Sequence, residues 1–293
     1  MTPDATTMSA DHATGVSLSC MEIWGGSAAA RDAVSTPGVD FWVHSRPHEG
    51  DAAGGDIHYV SVCGSGRYIR AALADVAGHG SVVADLAASL RGLVRRHINT
   101  PDQSRFARAL NEEFGDLSDR GAFATAILAT YHAPSESLIL CNAGHPRPLL
   151  YRADKQSWRL FDITDVGEAA PKSLRNLPLG VIPGTAYEQG VAGLRTGDLV
   201  LLYTDALIEA RSADGDMLGE QGLLDLVRSI DFDPERPDTL IDCVLGHVGA
   251  HQDDRPFDDD VTMVLLRQNG SSANLSMGEK LGVVAKLLGL KKV

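Results

Sequence analysis

The chain has 293 residues, 44% of them apolar but only 5% aromatic, so a sizeable core is available and Ala, Val and Leu must fill most of it. With 26 Lys and Arg against 39 Asp and Glu, the net charge of -13 argues against non-specific nucleic-acid binding and against adhesion to anionic membranes. No apolar run approaches the roughly 18 residues of a membrane span, and the polar, Asp-containing residues 1–20 do not read as a signal peptide. They are rich in Ser, Thr, Ala and Asp and read as a disordered N-terminus, with order starting near Met21. Residues 39–45 and 57–63 read as strands around a Gly/Asp-rich loop, and 68–75 as a third strand after the turn Gly64-Ser65-Gly66. Val82, Leu86, Leu90, Leu93, Val94 and Ile98 mark one face of a helix that Thr100-Pro101 ends. A second helix starts near Gln103, with Phe106, Leu110, Phe114 and Leu117 on one face.

Short apolar runs at 122–131, 137–142, 147–152 and 157–162 read as antiparallel strands. A less regular stretch, 164–176, precedes Leu177-Pro178-Leu179-Gly180. Strands resume at 185–194 and 198–203; helical patterning returns at 220–230 and 237–248; an acidic loop, 253–260, leads into a last strand, 261–267. The reading is one α+β domain, residues 21–268, followed by a basic Leu/Val-rich tail, 269–293. From residue 271 onward that tail carries four Lys and one Glu. Its acidic body and basic end predict docking of the tail on the body or on an acidic partner. Four scattered cysteines, Cys20, Cys63, Cys141 and Cys243, form no C-x-x-C pair, which excludes a zinc ribbon and points to a reducing, cytoplasmic setting.

Four positions carry candidate chemistry. Asp56 follows Gly54-Gly55 at a strand start, Asp75 opens the loop Asp75-Val76-Ala77-Gly78-His79-Gly80, Asp205 closes a strand, and Asp259-Asp260 precede the last one. Carboxylates at strand ends beside glycines suit hard cations such as Mg²⁺ or Mn²⁺. Any one of them alone reads first as a turn-forming Asp; the case for metal rests on the recurrence. Other motifs fail. Gly78-His79-Gly80 lacks the third glycine of a dinucleotide fingerprint, there is no Gly-Lys-Ser/Thr phosphate loop, and Asp214–Gly219 places Leu218 where a calcium ligand is required, so a hairpin turn is the better reading.

The matching motifs, in order, are Gly54-Gly55-Asp56, Asp75-Val76-Ala77-Gly78-His79-Gly80, Asn142-Ala143-Gly144-His145-Pro146, Leu177-Pro178-Leu179-Gly180, Gly197-Asp198-Leu199-Val200-Leu201-Leu202-Tyr203-Thr204-Asp205, and Asp259-Asp260-Val261-Thr262. With them the chain resembles the metal-dependent protein serine/threonine phosphatases of the type 2C superfamily, in the bacterial branch named after stage II sporulation protein E. The resemblance implies a four-layer αββα sandwich, two antiparallel sheets flanked by helix pairs. It implies two Mn²⁺ or Mg²⁺ ions. Asp75 would bridge them and the Val76 carbonyl would serve one; Asp205 and Asp259 would hold the first ion, and Asp56 the second, directly or through water. Asp260 would neighbour the site. A metal-activated water would then attack the phosphorus of a phosphoserine or phosphothreonine directly. The implied partner is a phosphorylated protein, in many relatives a small anti-sigma-factor antagonist. The residues before 39 are too few for a sensor domain, so any regulator is expected to be a separate protein, or the signal to act through the tail. His79 reads as a loop histidine and His145 as a brace for its turn. Ala206 departs from the family's glycine, which keeps open a second reading: a catalytically impaired phosphatase fold that only binds a partner.

Overall fold

The computed structural model describes residues 20–48, 51–63, 66–78, 81–117, 121–161 and 175–271. Residues 1–19 of the N-terminal segment 1–20 expected to be disordered, His79, residues 164–174 of the irregular stretch and all but the first three residues of the tail lie outside these residues.

Two six-stranded antiparallel sheets stack face to face. The first contains β1 (Cys20–Gly26), β4 (Asp56–Cys63), β5 (Tyr68–Val76), β6 (Ala124–His132), β7 (Ser137–Ala143) and β10 (Gln189–Gly193), side by side in that order. The second contains β2 (Ala30–Thr36), β3 (Val39–Arg46), β12 (Val261–Gln268), β11 (Leu199–Tyr203), β8 (Leu149–Arg152) and β9 (Ser157–Leu160). Helices α1 (Ser81–His97) and α2 (Gln103–Leu117) cover the outer face of the first sheet, packing Leu90, Phe106, Leu110 and Phe114 onto Ile57, Tyr59 and Ala74. Short α3 (Ala206–Glu209) and longer α4 (Gly219–Ser229) and α5 (Asp238–His251) cover the second. Between the sheets, Val60, Ile69, Leu73 and Ile127 meet Phe41, Val200, Leu202 and Val264. This is the αββα sandwich the sequence led us to expect.

Both faces of each sheet are covered, so central strands bury every side chain: Leu-Val-Leu-Leu-Tyr of β11 is buried throughout. Such strands read as continuous apolar runs rather than alternations, which is why they stand out in the sequence. The sequence reading missed β1 and β2, taking 39–45 as the first strand. Both are edge strands: β1 carries a bulge between Glu22 and Trp24, and β2 exposes Arg31 and Asp32. Charged residues and irregularity suit an edge and erase the pattern. The strand expected at 185–194 shortens to β10, with Ala186 making only an isolated bridge to Arg175. At 214–219 the chain makes a turn, Gly215 N–H donating to Ser212 O at 3.0 Å and Ser212 N–H to Asp216 O at 2.9 Å, as a hairpin reading requires. No helix among the described residues is long and apolar enough to cross a membrane.

Candidate active site

The four predicted aspartates meet at one edge of the sandwich. Asp56 opens β4 and stands directly opposite Asp75 near the end of β5. Asp205 follows β11 in the other sheet and begins α3, its carbonyl accepting the amides of Ile208 and Glu209 at 2.8 Å each. Asp259 lies just before β12 and accepts the Asp260 amide at 2.8 Å. Two carboxylates thus come from each sheet.

Their electrostatics are strained. Like charges directly opposite on neighbouring strands are destabilising, and Asp56 is 3% exposed. Burial, then the Asp75 charge, lifts Asp56 well above the usual carboxylate range, although the Thr262 and Thr204 hydroxyls pull the other way. Burial and the charges of Asp205, Asp259, Asp260 and Glu209 push Asp75 to about 7. Burial, Glu209 and Asp259 push Asp205 to about 6. Among the described residues no Lys, Arg or His pairs with Asp56, Asp75 or Asp205. Nor are any three His, Cys, Asp or Glu side chains among them already gathered in a cage that would hold an ion; the convergence is one of charge. An all-oxygen, strongly anionic donor set without a counter-cation fits a hard divalent ion. The backbone fits as well: Gly55 lies so close to the Val76 carbonyl that a Cβ there would meet its oxygen at 2.8 Å, leaving that oxygen beside Asp75.

Asp260 has a different job. Its Oδ1 accepts the His48 amide at 2.6 Å, and its Oδ2 accepts the amides of Gly55 at 2.6 Å and Asp56 at 3.3 Å. It pins the chain that delivers Asp56. A Cβ on Gly54 would overlap this carboxylate, which explains the first glycine of Gly54-Gly55-Asp56. Asp56 is also held from the opposite sheet. Thr204 Oγ1 donates to Asp56 Oδ2 at 2.8 Å and accepts the Thr262 amide at 3.0 Å, and Thr262 Oγ1 lies 3.0 Å from Ser45 Oγ.

The remaining motifs are structural. Asn142 accepts the His145 amide at 2.7 Å and donates to its carbonyl at 2.8 Å, closing the turn at Gly144, where φ is +68°. Buried His145 is driven down to about 3 and contacts Thr125 Oγ1 at 2.8 Å, so it is a neutral brace, as expected. Fully buried Asp198, at the other end of β11, accepts from Arg152 Nη1 at 2.7 Å and from the amides of Ala153 and Arg195 at 2.9 Å. Ala206 is not among the residues with positive φ and sits in α3, so its methyl costs the backbone nothing there. Sequence reasoning missed Glu209, whose charge bears on both Asp75 and Asp205; four residues past Asp205 in a four-residue helix, it has no pattern to announce it. It also missed Asn111 on α2, which accepts the Gly180 amide at 2.9 Å and donates to Ile182 O at 3.1 Å, seating Leu177-Pro178-Leu179-Gly180.

The fold has solved relatives. The chain is similar to the RsbU and RsbW domains of Rv1364c from Mycobacterium tuberculosis, with 24% identity, a TM-score of 0.66, and coverage of 90% of this chain and 72% of that one. It is similar to the PP2C phosphatase domain with a fragment of the regulatory domain of SpoIIE from Bacillus subtilis, at 17% identity and a TM-score of 0.63, covering 82% of this chain and 65% of that one. A third likeness is to the catalytic domain of the serine/threonine phosphatase PstP in complex with two manganese ions, at 19% identity and a TM-score of 0.50, covering 78% and 97%. At these identities the likeness is one of fold. The model of the family described as stage II sporulation protein E matches residues 65–269, well over half of the chain, starting just after the segment that carries Asp56. By that match, the chain belongs to the stage II sporulation protein E family.

Proposed function

We propose that residues 21–268 form a metal-dependent protein phosphatase domain that hydrolyses phosphoserine or phosphothreonine on a partner protein, in a reducing, cytoplasmic setting. The observation that carries this reading is the meeting of Asp56, Asp75, Asp205 and Asp259 from two sheets with no cation among the described residues paired to Asp56, Asp75 or Asp205. Asp75 and the Val76 carbonyl, Asp205 and Asp259, and Asp56 directly or through water, would hold two Mn²⁺ or Mg²⁺ ions. When bound, such ions make a water acidic enough to ionise near neutral pH and neutralise phosphate oxygens.

The chain's own residues do the rest. Raised carboxylate pKa values at Asp75 and Asp205 mean that an incoming cation must displace protons below about pH 7, so affinity should rise with pH. Asp260 and Thr204 fix Asp56 from its backbone and its carboxylate, so one acid is oriented before any ion arrives. A cleft of about 540 Å³ is lined by His48, Asp51, Gly54, Gly55, Gly78 and three consecutive acids, Asp258, Asp259 and Asp260; it reaches Asp259 of the four candidate ligands, and its glycines leave room for a phosphate. No nucleophilic Cys or Ser is needed. Ala206 gives no support to an impaired, binding-only module, because its backbone is ordinary there. A phosphorylated anti-sigma-factor antagonist is the substrate class we favour, with a separate regulatory protein, by analogy of family.

The test is hydrolysis of p-nitrophenyl phosphate and of a phosphoserine peptide with Mn²⁺ or Mg²⁺. Activity should vanish in EDTA and return with Mn²⁺, and calorimetry should show ion binding accompanied by proton release at pH 6.5. Full activity after exhaustive chelation would sink the proposal.

A further inference from the structure

A second cavity, about 490 Å³, opens beside the acidic cleft and shares His48 and Asp259 with it. Arg46, at the end of β3, lines it and lies over the Phe257 ring at 5.3 Å from the centroid. Arg46 is exposed and forms no ion pair among the described residues. Arg255 lines the same cavity, its guanidinium spent on carbonyls: Nε donates to Gln252 O at 2.9 Å, and Nη2 to Arg211 O at 2.6 Å and Ser212 O at 3.1 Å. Its charge has no carboxylate partner among the described residues either. Several arginines elsewhere, Arg31, Arg147 and Arg152 among them, are gripped by Asp242, Glu220 and Asp198, while Arg211 also has no carboxylate partner among the described residues but lines neither cavity. In a chain of net charge -13, Arg46 and Arg255 thus place two guanidinium groups without carboxylate partners among the described residues beside the proposed reaction centre. The acids on the same wall are Asp254 and Asp259, the latter assigned to a cation above.

Helix α5 lines the cavity too. Gly246 and Gly249, three apart on α5, line the cavity. Each costs a helix about 1 kcal/mol relative to Ala, yet internal packing does not demand them: a Cβ on Gly246 would meet nothing within 4 Å, and one on Gly249 only Asp254 Oδ1 at 3.6 Å. Leu245, Pro47 and Pro256 supply apolar surface for an aliphatic stem.

We propose that this cavity is a substrate subsite that takes an acidic side chain flanking the phosphorylated residue, with Arg46 pairing with its carboxylate. The proposal rests on the phosphatase reading above and specifies which phosphoproteins that site prefers. Arg is suited to the role because its planar fork can hold a carboxylate through two hydrogen bonds while its face stays stacked on an aromatic ring.

The experiment uses the full chain with Mn²⁺, p-nitrophenyl phosphate, and phosphoserine peptides in which one Glu is moved from four residues before to four residues after the phosphoserine in a neutral background. One position, or two adjacent ones, should raise kcat/KM about tenfold over the neutral peptide, the size expected of one charge-assisted contact. The preference should shrink severalfold in 0.5 M NaCl. Arg46→Gln should bring the acidic-to-neutral ratio to within about twofold of one, Arg46→Lys should keep part of it, and Gly246→Leu should lower it by filling the cavity. Turnover with no acidic preference, or an Arg46→Gln variant that keeps the preference, overturns the subsite. So does an Arg46→Gln loss shared equally by p-nitrophenyl phosphate and both peptides, which would place Arg46 in the reaction itself. No turnover of any substrate would remove the phosphatase reading, and the subsite with it.

Discussion

Replacing Asp75 with Asn should make the ion-free protein more stable while abolishing its turnover. In the folded chain Asp75 faces Asp56 across the β4–β5 pair, and its pKa stands at about 7 against an ordinary 3.8. A carboxylate whose folded pKa is raised contributes stability that is complete below about pH 3.8 and lost as pH climbs through about 7. The interval between 3.8 and about 7 corresponds to roughly 4 kcal/mol of destabilisation at pH 8. Part of that repulsion passes to the remaining acids, so Asp75→Asn should recover roughly 2–4 kcal/mol. At about 2–4 °C per kcal/mol for a chain of this size, Tm should rise by roughly 5–15 °C. The assay is thermal unfolding in EDTA at pH 5, 6.5 and 8. The wild-type Tm should fall across the series, the variant's should fall less, and the gap should be widest at pH 8. Millimolar Mn²⁺ should reverse the order, because only the wild type gains the full free energy of binding. If the variant in EDTA at pH 8 unfolds at or below the wild-type temperature, the electrostatic account of this site is wrong.

Gly54→Ala should cost more than about 3 kcal/mol and most of the activity, since its methyl overlaps the Asp260 carboxylate; adding Asp260→Ala should recover part of the stability, measured by urea unfolding. Asp260→Asn should lower Tm and leave measurable p-nitrophenyl phosphate turnover, whereas Asp259→Asn should remove it with little change in Tm; equal damage from both would overturn the division of labour between them. Thr204→Val removes the donor to Asp56 Oδ2 and strands the Thr262 amide, so it should cost about 1–3 kcal/mol and raise the Mn²⁺ concentration needed for half-maximal rate. Asp198→Ala should cost about 3–5 kcal/mol by leaving the Arg152 guanidinium without its carboxylate, with no change in the Mn²⁺ requirement of the folded fraction.

The layers of this fold were legible because buried strands and amphipathic helices must write themselves in apolar runs. Leu199–Tyr203 has no polar residue to interrupt it, and α2 shows Phe106, Leu110 and Phe114 at helical spacing. Edge strands carry no such obligation. The sequence Ala-Arg-Asp-Ala-Val-Ser-Thr of β2 is mostly exposed, and its pairing with β3 is backbone hydrogen bonding, which leaves no side-chain signature. The aspartates could be picked out because each sits at or beside one end of a strand. Their supporting residues could not: Thr204 is one of many buried threonines until its hydroxyl is found bridging the sheets, and Asn111 looks like any polar residue on a helix. Asp198 illustrates the converse. It belongs to a motif as recognisable as any, yet its carboxylate is consumed by Arg152 at the end of β11 remote from Asp205.

That contrast along β11 has a consequence for how the molecule breathes. At Leu199 the strand is anchored by an aspartate whose charge is neutralised and whose oxygens accept three donors. Beyond Tyr203 it ends in an aspartate crowded by like charge. Along β11 the like-charge crowding therefore lies at one end, and the free energy of local opening should decline along the strand toward it. Amide hydrogen exchange would register this as a gradient, slow near Leu199 and quicker near Tyr203. A scaffold graded in this way loosens first at the rim where the proposed phosphoprotein substrate would enter, while the far rim stays anchored.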